Sequence, residues 1–158
     1  MKPATITVLK KELKYRSQEQ LIEYCMSMAR FKLESKELLT YLVFESDNEA
    51  VYIASVKEYI AASFQEINAT NYHFIKKTVR KILRQIKRYI RYSKKKETEA
   101  ELLIYFCKEL GEMKPSYKRN TVLTNTYNKQ LELAQKAIVK VHEDLQYDYN
   151  LMIEELDD

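Results

Sequence analysis

One glycine and two prolines in 158 residues leave this chain very few tight turns. Gly111 alone can enter positive φ without steric cost, and only Pro3 and Pro115 carry a locked φ. Helices joined by polar loops satisfy that restriction, so the expected class is all-α. The length points to one domain over residues 1–158. Composition agrees, because 46% hydrophobic and 32% charged residues suit globular helices with one wet face.

Apolar residues recur at helical spacing along nearly the whole chain: Ile6, Leu9 and Leu13, then Leu21, Cys25 and Met28, then Ile53, Val56, Ile60, Phe64 and Ile67. Start signals fall between these stripes. Ser17 with Gln20, Ser46 with Glu49, and Thr98 with Glu101 fit the capping box, and Asn71 fits a further N-cap. Gly111 and Pro115 supply a stop. The pattern predicts about seven helices: 5–15, 18–32, 36–45, 48–67, 72–93, 98–112 and a long C-terminal helix over 119–155. The third is apolar all round from Leu38 to Phe44, which implies a central buried position. A buried strand there lacks a partner, since Thr5 to Val8 is too short to make a sheet.

Two architectures satisfy this periodicity, a compact single-domain helical bundle and a short right-handed stack of helical hairpins. Along the C-terminal segment Tyr127, Leu131, Ala134, Ile138, Val141, Leu145, Tyr149, Met152 and Leu156 are spaced by threes and fours. The repeated step of four at Val141, Leu145 and Tyr149 breaks a strict heptad, which favours packing onto its own domain over a prolonged coiled coil.

The strongest asymmetry is one of charge. From Lys76 to Lys96 there are 11 lysines and arginines and no acid, while the other residues hold 16 bases and 23 acids. On a wheel of about 100° per residue, Lys76, Lys77, Arg80, Lys81, Arg84, Lys87, Arg88 and Arg91 share an arc of roughly 140°. Ile75, Val79, Ile82, Leu83, Ile86 and Ile90 share a separate arc of about 100°. Eight like charges on one helix face repel, so a counterpart is expected. Nucleic-acid phosphates would supply one, with Tyr89 and Tyr92 placed to stack on exposed bases.

The chain carries an alternative counterpart of its own. From Val141 onward lie Glu143, Asp144, Asp148, Glu154, Glu155, Asp157 and Asp158, with no lysine or arginine. An acidic terminal helix lying on the basic one would neutralise it within the fold or between copies, and Tyr147 and Tyr149 would then meet the basic side chains. A solvated face, an acidic protein partner and an anionic membrane surface complete the readings. The last would require the apolar side of the helix to leave the core.

Catalytic and metal signatures are missing. His73 and His142 stand in no HExxH or ExxH arrangement, and one glycine cannot build a phosphate-cradling loop. No metal, no cofactor and no enzymatic activity are expected. Cys25 and Cys107 read as buried apolar thiols, outside any CxxC or disulfide framework. The charge-free run Leu38 to Phe44, like every other in the chain, is far short of the roughly 20 residues of a membrane span, and Lys10, Lys11 and Glu12 break up any signal-peptide core. A cytoplasmic location follows as the expectation.

The run RKILRQIKRYIRYSKKKETEAELLIYFCKEL, with the later HEDLQYDY, resembles a group of small all-helical bacterial proteins without an assigned activity. The likeness extends from about Leu38 onward. It implies a helical fold and a bacterial cytoplasm, and it brings no site residues. The expected function is a non-catalytic helical interaction module, an adaptor or scaffold, with protein partners or self-association. The alternative is a nucleic-acid-binding protein using residues 76–96.

Overall fold

The computed structural model describes residues 1–157, and every regular element among them is helical, with no strand. Where length alone points to one domain, the chain divides into two compact units, Met1–Phe44 and Glu45–Asp158.

In the first unit, α1 (Ile6–Leu13) is capped by Thr5, whose hydroxyl accepts from the Val8 amide at 3.3 Å. α2 (Gln18–Phe31) opens with the anticipated capping box: Ser17 Oγ accepts from the Gln20 amide at 3.1 Å, and Gln20 Oε1 accepts from the Ser17 amide at 3.0 Å. α3 (Leu33–Thr40) packs against α2 and runs into a π-helical turn, Tyr41–Glu45. Only Ala29 and Tyr41 are buried here. The expectation that Leu38–Phe44 is central and buried is therefore corrected: Leu42, Val43 and Phe44 are 55%, 58% and 76% exposed. An all-round apolar segment goes inside only where its surroundings supply an inside, and this unit supplies almost none.

The second unit holds α4 (Glu49–Gln65), α5 (Tyr72–Ser93), α6 (Lys96–Glu112), a 3₁₀ turn (Tyr117–Arg119), α7 (Thr121–Ile138) and α8 (Glu143–Glu154). α6 is its axis. Thr98, Ala100, Leu102, Leu103, Ile104, Phe106, Cys107 and Leu110 are all buried, and α4, α5, α7 and α8 each pack on it. In a stack of hairpins a repeat touches only its neighbours; four helices around one is a bundle. Ala100 on α6 and Ala134 and Ala137 on α7 are small and buried, which lets those two helices approach closely.

The long C-terminal helix is also corrected, because it breaks at Val139–His142 into α7 and α8. His142 Nδ1 accepts from the Asp144 amide at 3.3 Å, and Gln146 Nε2 donates to the Val141 carbonyl at 2.9 Å. Glu143 and Asp144 complement the dipole of the new first turn. The fold-back places Tyr149 in one apolar cluster with Leu103, Ala134 and Ile138, against which Met152, Ile153 and Leu156 also pack. A straight helix would leave these side chains in water, at about 1.5–3 kcal/mol for each fully buried apolar group.

Two expected starts also move. Asn48 rather than Ser46 caps α4, and α6 begins after Lys95 rather than at Thr98. α6 ends at Glu112, between Gly111 and Pro115 as the stop signal predicts, and the left-handed position of the described chain belongs to Lys94, at φ 60°.

Candidate functional site

α5 is built for two opposite surroundings. Asn71 Oδ1 caps it by accepting from the Phe74 amide at 3.1 Å, and Lys94 closes it by donating its amide to the Ile90 carbonyl at 3.0 Å. Ile75, Val79, Ile82 and Ile86 are at most 2% exposed and fix the helix against α4 and α6. The opposite arc is thereby turned to water. Lys77, Arg80, Lys81, Arg84, Lys87 and Arg91 are exposed, and Lys76 and Arg88 are half-buried. From Lys77 to Arg91 this face runs about 21 Å at 1.5 Å per residue. Among the described residues, neither Lys76 nor any of the six exposed cations is in a salt bridge.

The face is not flat. Near its start His73, Lys76, Lys77, Arg80 and Arg84 line a shallow recess of about 290 Å³ with no acidic side chain in its wall. Further along, Arg84, Lys87 and Arg91 rim a groove of about 400 Å³ floored by Ile90, Leu103 and Leu133, with Glu99 on its far side. His73 belongs to the cationic arc although the charge count passed over it.

The acidic counterpart lies elsewhere. α8 packs on α6 and α7, and Glu143, Asp144, Asp148, Glu154 and Glu155 are exposed and form no ion pair with α5. Asp157 is exposed too, and Asp158 lies outside the described residues. The expected neutralisation within the fold is thus corrected, and its cause is the break at Val139–His142, which sends α8 back along its own hairpin.

The tyrosines need the same revision. Tyr92 is buried and Tyr89 half-buried, the two meet edge-on at 6.3 Å, and Tyr52 donates its hydroxyl to the Tyr89 carbonyl at 2.8 Å. They belong to the α4–α5 seam and are not free to stack on bases. Tyr149 is buried near Glu101 and Glu97, whose charges add to burial in raising its pKa to about 12, and Tyr147 is exposed. Among the described residues neither tyrosine makes a cation–π contact or hydrogen bond with the basic side chains of α5.

A larger cavity of about 540 Å³ went unseen in the sequence, because its walls come from α4, α6, α7 and the end of α8. Lys57 pairs with Glu101 at 2.6 Å, and Tyr105 lies under both Lys57 and Lys108 at 5.5 and 5.8 Å. At its base the Tyr117 and Tyr127 rings stack at 4.5 Å, and the Cys107 thiol donates to the Tyr127 carbonyl at 3.7 Å. Burial pushes that thiol up to about 12, which removes it as a nucleophile. Cys25, expected to be equally buried, is only half-buried.

Among the described residues no group of three or more His, Cys, Asp or Glu could hold a metal ion, and no helix is long and apolar enough to cross a membrane. No known protein family, curated protein or solved structure matches the chain.

Proposed function

We propose that the protein is a non-catalytic helical binding module that holds nucleic acid by its phosphates along α5. The observation that supports this reading is the open cationic face: six exposed lysines and arginines over about 21 Å, none of them in a salt bridge among the described residues. A rigid helix of this kind neutralises successive phosphates and releases their counterions. With Tyr89 and Tyr92 committed to the α4–α5 seam, base stacking contributes little, so binding rests on the backbone and is indifferent to sequence. The same reading places the protein in a cytoplasm, where nucleic acid is at hand.

The test is a titration of the full chain with generic duplex DNA and RNA at several salt concentrations. Six phosphate contacts on B-DNA give a log–log salt slope near −5, a loss of about a thousandfold between 50 and 200 mM salt. Changing Arg80, Arg84 and Arg91 to glutamate should abolish binding while the helical circular dichroism persists. Absence of binding at the lowest salt sinks the proposal.

A further inference from the structure

We propose that the cavity of about 540 Å³ between α4, α6, α7 and the end of α8 binds a small organic cation, an ammonium group carried on a flat aromatic body. Its volume lies in the range of small-molecule sites, about 300–1,000 Å³. Every residue of its wall belongs to the second unit, and none lies on α5. The site is separate from the cationic face, and the inference does not rest on the nucleic-acid reading. The chain's single glycine shapes the wall. Gly111 sits in the last turn of α6 without a positive φ, so no backbone geometry requires glycine there. Packing does not require it either: a Cβ added at Gly111 would meet the Tyr127 ring at 3.9 Å, an ordinary contact, and nothing else outside its own stretch of helix within 4 Å. The missing side chain leaves open space, which Ile104, Met152 and Leu156 extend into an apolar bed beside the stacked rings of Tyr117 and Tyr127. A flat ring laid there makes stacked or edge-on contact with the tyrosine pair.

Charge selects the sign of the ligand. Three lysines stand against four acids in the wall, which therefore sums to −1 in a chain whose net charge is +4. Lys57 is paired with Glu101 at 2.6 Å, and both Lys57 and Lys108 lie over the Tyr105 ring, so the aromatic wall already draws ammonium groups. Lys118 is exposed and, among the described residues, in no salt bridge. The same holds for three acids, Glu112, Glu155 and Asp157, which outnumber the cations left over. Burial raises the pKa of all three tyrosine hydroxyls in the wall, and carboxylates add to it: Glu109, by hydrogen bond and charge, and Glu112 at Tyr105, and Asp157 at Tyr117 and Tyr127. The field at the rings is that of acids, which favours a cation and opposes an anion.

The chain has no tryptophan, so the fluorescence of an indole probe reports the probe alone. Titrating the full chain into tryptamine should raise the probe's anisotropy with a Kd on the order of 0.1 mM, in keeping with a ligand of this size. Indole-3-propionate, with the same ring and a carboxylate in place of the ammonium, should bind at least about tenfold more weakly. Gly111→Leu fills the apolar bed from a position that accommodates a Cβ, so it should weaken tryptamine binding by at least about tenfold while the melting temperature holds or rises. Glu112→Gln, Glu155→Gln and Asp157→Asn, all at exposed sites, should together raise the Kd for tryptamine about tenfold and leave indole-3-propionate no weaker. The inference falls if tryptamine shows no change of anisotropy up to about 1 mM protein, or if the carboxylate binds as tightly. It falls equally if folded Gly111→Leu keeps its affinity.

Discussion

The Thr98 hydroxyl donates to the Glu49 carboxylate at 2.5 Å, joining the first turn of α4 to the first turn of α6 across 49 positions of sequence. The Ser93 hydroxyl donates to the same oxygen, and Lys95 Nζ approaches the other at 3.4 Å. One carboxylate thus holds the end of α5, the connecting turn and the start of α6. Glu49→Ala leaves the buried hydroxyls of Ser93 and Thr98 without their acceptor, so urea denaturation should show a loss of about 2–3 kcal/mol. Glu49→Gln, which keeps one acceptor oxygen, should lose less.

The turn so held contains the left-handed Lys94. A side chain at φ 60° costs roughly 1–2 kcal/mol relative to glycine, partly offset by the entropy glycine loses on folding. Lys94→Gly should therefore raise stability by about 0.5–1 kcal/mol. Lys94→Val, branched at Cβ, should lower it by more than that, and thermal melts of the two variants should move in opposite directions.

Helix identities were legible where chemistry is local. The Ser17–Gln20 box and the Asn71 cap lie three residues from their partners, and α5 runs over 72–93 as its periodicity predicts. Illegible were features that depend on residues far apart. Ser46 and Thr98 looked like caps because nothing nearby reveals that Thr98 is bound to Glu49. The break before α8 carries no glycine or proline, and its stabilising groups, His142 and Gln146, are common inside helices. The cationic arc could be read from the wheel. That α8 leaves it open followed from the unread break.

Gln130 on α7 is 3% exposed, and its Oε1 is buried without a hydrogen-bond partner among the described residues. Such an oxygen loses its water and gains nothing, a penalty of about 1–3 kcal/mol. Gln130→Met keeps the length and shape of the side chain while removing the polar atoms. It should stabilise the fold by about 1 kcal/mol in chemical denaturation, whereas Gln130→Ala opens a cavity and should destabilise it.

Alkaline pH should unfold the protein in two stages. Burial raises the Cys107 thiol to about 12, whereas in the unfolded chain it ionises near 9. Its contribution is complete below pH 9 and is lost as pH rises towards 12. Tyr149, raised to about 12 by burial and by Glu101 and Glu97, adds a second loss that begins near 10, and Tyr127 is raised for the same first reason. Melting temperature should be flat through neutrality and fall from about pH 9, more steeply above 10. In Cys107→Ala the first stage should vanish and the decline begin near 10.

The exposed face of α5 should set stability and binding against each other. Lys77, Arg80, Lys81, Arg84, Lys87 and Arg91 crowd one side of a helix that has no acid from position 76 onward, and like charges one turn apart cost a few tenths of a kcal/mol. A glutamate at position 80 lies one turn from both Lys76 and Arg84, and one at position 77 lies one turn before Lys81, the favourable order for an ion pair. Arg80→Glu and Lys77→Glu should each raise stability by about 0.2–0.5 kcal/mol. If α5 binds phosphates, each should also weaken nucleic-acid binding across all sequences and reduce the salt slope by about one. A face that merely kept the protein in solution would gain stability and lose nothing else. Divergent signs of the two measurements in the same variants are what distinguish a surface kept cationic for a ligand from one that is simply wet.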